Sequence, residues 1–549
     1  MADFACRASS PLTEPDRFES GSASRHDFVI VIPVADRPEQ LAACLNSLLQ
    51  LRRRYPYAGE VSVLIADDSR EAANIVRHRA SAELATHEGL PTHYLDLEQQ
   101  FALIEALPVA MRARLDGVLG VQGRDSFHHK GASVTRNIAY LWLRGLPGGG
   151  RKKLYWFIDS DQEFRVEFPV TAVDDGTAAG TDVIDYFHWL DRIFSETATT
   201  LLTGKVVGDP PVSPAVMANN FLEDVLAFLA DMAELAPQAG CTFHARLSVG
   251  EADAAYHDMA DLFGFKPAMG RWHYPCPIRT VHDHAACFSE FAAGLSRFFD
   301  GEHPTRRSFY RRDDPLHSLQ AARTLYTGNY VFNDEGLAWF IPFANLRLRM
   351  AGPTLGRLLR AQLGEAFVSA NLPLLHKRAA ESTGQAEFRP GVERARNQVD
   401  LSGEYERQYY GDIMLFAIER LTAQGFPAIS LSQEKIMLAV EESSQAMHDR
   451  YAAKQVEIDD KLAQLDRRFS DQASWWWGEA RLSAACADFQ AFITNMRRNF
   501  SADAPVRQRM ASPDLHAQRL RDMRAAIEGY RDQCEAWRAV LATGVMARK

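Results

Sequence analysis

Apolar residues follow two rhythms along this chain. Up to about residue 380, short apolar runs alternate with stretches of helical spacing, and most runs stop at polar residues. Phe28-Val29-Ile30-Val31-Ile32-Pro33 reads as a buried strand; after Asp36-Arg37-Pro38-Glu39-Gln40 comes a helix with Leu41, Cys44, Leu45, Leu48 and Leu49 on one face. Val61 to Ala66 forms a second strand, ending in Asp67-Asp68-Ser69. A helix opening at His129-Lys130-Gly131 turns Val134, Ile138, Leu141 and Trp142 toward a sheet and stops at Gly145, and its first N–H groups favour an anion. Leu154 to Ile158 is an apolar strand that ends abruptly in Asp159-Ser160-Asp161. Strands alternating with helices predict an α/β fold with a mostly parallel sheet, whose carboxyl edge collects the polar loops.

Farther along, Ile184 to Phe194 predicts a helix and Thr200 to Gly208 a strand leading into a loop with Pro210, Pro211 and Pro214. That loop could line an acceptor pocket, with Asn219, Asn220 and Asp224 on the helix that follows. A strand over 366–375 delivers His376. Beyond about residue 395 the rhythm becomes helical throughout. Tyr410, Met414, Ala417, Ile418 and Leu421 form one stripe, and Ile458, Leu462, Leu465 and Phe469 another, suited to a bundle or a homodimer. Three consecutive indoles, Trp475-Trp476-Trp477, cannot all face one core, which leaves at least one for an interface. The expected organisation is a flexible segment over 1–26, an α/β domain over 27–380 and an α-helical domain over 395–549.

Two carboxylates one residue apart at the rim of a sheet suit a hard divalent cation bridging protein and diphosphate, as an enzyme using a nucleotide-activated donor requires. The ordered set matters more than any one motif: a strand ending in Ile-Pro with a polar loop, a strand ending in an acidic pair, a Gly131-to-Asn137 helix start, and Asp-x-Asp. In this order the segments resemble glycosyltransferases of the GT-A fold, especially the large family 2 type, strongly over about 27–165 and more loosely over about 180–380. That resemblance implies a Rossmann-like sheet flanked by helices and a metal-dependent transfer of a hexose from a UDP- or GDP-linked donor to a hydroxyl acceptor. The acceptor would be a saccharide, a lipid-linked molecule or a small molecule. Carried over by position, it puts Pro33, Ala35 and Asp36 at the nucleotide, Asp67 and Asp68 at base or ribose, and Lys130, Arg136 and Asn137 near base, ribose or phosphates. Gly328 and Asn329 would lie beside the sugars, with Asp159, Asp161 and His376 around Mn2+ or Mg2+. Imidazole favours manganese, and His282, His284 and His303 are less well situated for this role than His376.

One departure stands out. Where inverting members carry a Glu-Asp pair at a helix start, this chain has Gly352-Pro353. The general base would then be Asp334 or Glu335, or the transfer would retain configuration with the leaving phosphate assisting the acceptor. Two other classes compete: a nucleotidyltransferase, although Asp36-Arg37-Pro38 is a poor phosphate loop, and a noncatalytic scaffold that binds sugar nucleotides.

Composition narrows the setting. The chain has 549 residues, 46% of them hydrophobic, enough for sizeable cores. Its formal net charge of -10 argues against a nucleic-acid partner. Seven cysteines without Cys-x-x-Cys spacing point to reduced thiols in a cytoplasm. No apolar run reaches transmembrane length, so the expected location is cytoplasmic, with peripheral contact to a membrane left open.

Overall fold

The computed structural model describes residues 25–120, 123–147, 150–169, 179–243, 252–253, 271–384, 386–396 and 398–543. All but the last two residues of the expected 1–26 segment lie outside this set. The first strand, β1 (His26–Val34), is followed by α1 (Pro38–Arg54), β2 (Val61–Asp67), α2 (Ala72–His87) and β3 (Thr92–Leu95). Next come α3 (Ala132–Arg144), β4 (Lys152–Ile158), β5 (Gln162–Glu163) and α4 (Tyr186–Glu196). β1 pairs in parallel with both β2 and β4, and β2 in parallel with β3. All four strands therefore end at one rim.

The unbroken apolar runs are explained by burial on both faces of this sheet. In β1, Phe28, Ile30, Ile32 and Val34 enter a core capped by Leu41, Leu45 and Leu48 of α1 and by Tyr186, Phe187, Leu190 and Ile193 of α4. Val29 and Val31 enter the opposite core with Val134, Ile138 and Leu141 of α3. β4 alternates the same way, with Leu154, Trp156 and Ile158 on one side and Tyr155 and Phe157 on the other.

The long strands expected over 200–208 and 366–375 each break in two. β6 (Leu201–Thr203) lies in the large sheet and β7 (Val206–Gly208) in a second, smaller one. After α5 (Pro214–Ala233), α6 (His284–Gly294), β8 (Asn329–Phe332) and α7 (Ala351–Leu363), the chain repeats the manoeuvre. β9 (Phe367–Ser369) runs parallel to β6, and β10 (Leu374–His376) parallel to β7. Asn329 sits in the fork. Its Nδ2 donates to the carbonyls of Lys205 and Leu372 at 3.0 and 2.9 Å, and its Oδ1 accepts from Trp156 Nε1 at 2.9 Å. Gly204 permits this approach, since a Cβ there would fall 2.2 Å from Asn329 Nδ2. β8 runs antiparallel to both β4 and β6, so the large sheet is mixed, parallel through β3-β2-β1-β4.

The helical region, α8 (Ser402–Thr422), α9 (Gln433–Ser470), α10 (Ser483–Phe500) and α11 (Pro513–Thr543), packs on the α3 side and shares one continuous core with it. Ile458, Leu462, Leu465 and Phe469 are buried inside the chain. Of the bundle and the homodimer that this stripe suited, it serves packing within the chain. The indoles are likewise engaged internally: Trp475 Nε1 donates to Met232 O at 2.8 Å, while Trp476 and Trp477 donate to Phe469 O at 3.3 and 2.7 Å. Two N–H groups thereby satisfy a carbonyl at the end of α9 that the helix leaves unpaired. Among the described residues no helix is long and apolar enough to cross a membrane.

Candidate functional site

A cavity of about 680 Å³ opens at the rim where β1, β2 and β4 end. Pro33, Ala35, Asp68, Arg136, Asp159, Asp161 and His376 all line it, bringing seven of the expected positions together. Gly131, Ala132 and Ser133 also face it, so the first turn of α3 presents N–H groups to any anion inside. Gly131 adopts φ 101°, a left-handed conformation that suits glycine at this entry to the helix.

Asp161 is the buried centre of the rim. Its Oδ2 accepts from Arg37 Nη1 at 2.8 Å and lies 3.6 Å from His376 Nε2, while Oδ1 is buried without a hydrogen-bond partner. Burial pushes the carboxyl up, but His376, Arg37 and Arg378 outweigh it and hold Asp161 well below the usual carboxylate range. The His376 ring is oriented from behind through Nδ1, which donates to Asp209 O at 2.7 Å. Asp159 is paired with Arg136, whose Nε is buried and unpartnered. Gly328 lies directly under Asp159, where a Cβ would meet Oδ2 at 2.7 Å.

In ligand chemistry, though not in spacing, the donor set matches a divalent cation. Two carboxylates and an imidazole suit manganese or magnesium, and the unpaired Asp161 oxygen supplies a lone pair that no protein donor uses. Asp159, Asp161 and His376 do not all come within 4.8 Å of one another, and Arg37 and Arg136 hold the carboxylates where a cation would otherwise compete.

Other expected residues support the rim without reaching the cavity. Asp36 accepts from the backbone N–H groups of Arg70 and Glu71, from Asn74 and from His129 Nε2, the last at 2.6 Å. Asp67 is buried, is not part of the cavity lining, and accepts from His78 Nδ1 at 2.9 Å, from the Tyr94 hydroxyl and from Ser69 N–H. Lys130 is fully buried on Asp68, Nζ to Oδ1 at 2.7 Å, and burial draws its pKa down against that carboxylate. Removing one partner would strand a charge at a cost of about 3–5 kcal/mol. Asn137 joins the carbonyls of Val118 and Ile341 and the Ile341 N–H, a structural knot rather than a ligand contact. Pro211 and Val212 line the cavity, whereas Asn219 turns to Glu457 and Asp224 to Thr305 and Arg306.

Asp334 and Glu335 fail as general bases. β8 runs antiparallel to β4, with Asn329 opposite Ile158 and Phe332 opposite Tyr155, so residues 334 and 335 lie toward the other end of β4, about 20 Å along the strand from Asp159. Asp334 accepts from Tyr155 Oη there, at 2.7 Å. The Gly352-Pro353 departure has a packing cause. Cβ atoms at Gly352 and Gly356 would fall 2.5 Å from Leu325 O and 2.6 Å from Leu325 N, so α7 rests directly on that backbone.

One wall of the cavity went unread in the sequence. Arg347, Arg349, Arg378, Arg389 and Arg407 line it, with Phe388 stacked on His129 at 4.1 Å. Glu404 on α8 anchors the wall by accepting from Arg349 Nη1 at 2.8 Å and from Arg389. Burial opposes this charge on Glu404, but Arg389, Arg349 and Arg378 keep it ionised, below the usual range. Burial and neighbouring guanidiniums draw Arg389 and Arg407 down to about 10, so both remain cationic at neutral pH. Within a chain of net charge -10 this is a concentrated patch of positive charge. Its residues fall on both sides of the boundary expected at 380–395, in a stretch whose sequence carries no motif.

No family model matches the chain, and no curated protein matches it. Among solved structures it is similar to a mannosyltransferase from Pyrobaculum calidifontis in complex with GDP-Man and Mn2+, at 8% identity and a TM-score of 0.32, over 86% of this chain and 87% of that one. A likeness this slight identifies no chemistry.

Proposed function

We propose that the chain is a GT-A glycosyltransferase that moves a hexose from a nucleotide diphosphate sugar to a hydroxyl acceptor. The observation that carries this reading is the rim itself: Asp161, with one unpaired buried oxygen, beside Asp159 and His376, facing a cavity walled by guanidiniums. A divalent ion held by Asp159, Asp161 and His376 would offset charge on the departing diphosphate. The first turn of α3 and the arginines opposite would bind phosphate oxygens, and Pro33 and Ala35 would flank the nucleotide.

Transfer with retained configuration is the finer reading, because no carboxylate stands at the start of α7 and Asp334 and Glu335 are remote. The acceptor hydroxyl oxygen would form the new bond to the anomeric carbon as the bond from that carbon to phosphate breaks. Its proton would pass to the leaving diphosphate oxygen. The acids lining the cavity are Asp68, Asp159, Asp161 and Glu393, of which Asp68 is already bound to Lys130. Arg378 and Arg389 would hold the diphosphate during the transfer.

Screening UDP- and GDP-linked sugars by released nucleoside diphosphate, with and without manganese, tests the reading. One donor should be hydrolysed or transferred in a manganese-dependent way, and proton NMR of the new linkage should show the donor's anomeric configuration. Metal-independent binding with no turnover would instead favour the scaffold, and a preference for triphosphates a nucleotidyltransferase.

A further inference from the structure

Away from the cavity, one cluster of side chains has the composition of a metal centre. Cys241, Cys276, His282 and Cys287 bring their ligand atoms within 4.8 Å of one another, the one such group of three or more among the described residues. Cys276 Sγ lies 3.1 Å from His282 Nε2 and 3.6 Å from Cys287 Sγ, and Cys287 Sγ lies 3.5 Å from Cys241 Sγ. These separations are far from the ~2.05 Å of a disulfide. They are close to the ~3.8 Å edges of a tetrahedron whose centre is bonded to sulfur at about 2.3 Å.

The surroundings prepare the ligands. His282 Nδ1 faces Thr280 O at 2.6 Å, which fixes the proton on that nitrogen and turns the lone pair of Nε2 toward the sulfurs. Phe243 N–H donates to Cys241 Sγ at 3.4 Å, and Ile278 N–H donates to Cys276. Cys287 sits in the first turn of α6, which Asp283 caps by accepting from Ala286 N–H at 3.0 Å, so its position is fixed by the helix start. Cys241 is held against His282 through its own N–H, which donates to His282 O at 3.1 Å.

We propose that Cys241, Cys276, His282 and Cys287 bind one zinc ion in a closed structural site. Three thiolates and an imidazole are soft to borderline ligands that select zinc over manganese or magnesium. Four protein ligands leave no coordination position for a substrate. The ion joins residue 241 to the 276–287 segment and so seats α6 where Phe288 stacks on Trp476 at 5.4 Å and meets Phe489 at 5.0 Å.

The test is elemental analysis of the full chain, expressed with zinc and purified under reducing conditions. One equivalent of zinc should survive a chelation step that strips manganese, and should fall to background in Cys241→Ser and Cys276→Ser while Asp161→Asn keeps it. Because a serine variant could fail to fold, the unaltered protein is also refolded with cobalt, which should give the intense visible bands of a tetrahedral thiolate complex. Freely titrating thiols without metal, a disulfide among these cysteines in peptide maps, or an octahedral cobalt spectrum would each overturn the site. So would zinc retained unchanged in the Cys276→Ser protein.

Discussion

Asp159, Asp161 and His376 stand at an open rim among arginines, whereas Cys241, Cys276, His282 and Cys287 close on one another and none of them lines the cavity. The first set is oxygen-rich, spread apart, and already engaged by Arg37 and Arg136. Its ion would arrive with the donor and leave with the product. The second set is sulfur-rich and complete within the chain, which suits an ion that stays. On the two proposals, ligand hardness and access would separate a site for turnover from a site for stability.

The largest effect should come from the rim. Asp161→Asn keeps the shape but removes the charge, and transfer should fall about 100- to 1,000-fold in steady-state assays, with circular dichroism unchanged. Near-normal turnover would erase the functional half of the contrast. Cys276→Ser should act the other way round, lowering the thermal midpoint on the order of 10 °C in calorimetry while residual folded protein still turns over donor. A collapse of donor affinity in that folded fraction would show the two clusters to be coupled.

Smaller effects sharpen the picture. Arg378→Ala should raise the donor KM about tenfold, worth about 1.4 kcal/mol, with a lesser change in kcat and a weaker response to added salt. Asp334→Ala should alter turnover less than about twofold and cost about 1 kcal/mol in denaturant melts, because it loses only the acceptor for Tyr155 Oη. A tenfold loss of turnover there would reinstate a chemical role at the far edge of the sheet.

The parallel half of the sheet was legible because apolar runs and their polar stops are local signals. The same rule drew attention to Asp159, Asp161 and His376, which line one cavity, since each lies at or just past the end of a strand. What escaped depends on distance along the chain. Nothing near Thr203 or Ser369 announces that two strands will leave the large sheet together, because that fork is made by Asn329 from a third strand. The arginine wall escaped because its members lie between 347 and 407, on loops and on a helix that reads as part of another domain. The cysteine cluster escaped because Cys241 is remote from the other three ligands in sequence. Only folding brings it back to His282. Asp334 misled for a related reason: proximity to Asn329 in sequence says nothing of which end of an antiparallel strand it occupies.

Glu404 belongs to α8, yet the guanidiniums it binds, those of Arg349 and Arg389, belong to the wall of the cavity. A shortened version ending before α8 would therefore strip the counter-charge from those arginines and bare apolar surface on the α3 side. Anyone trimming this protein for crystals or assays should expect the α/β half to be insoluble alone.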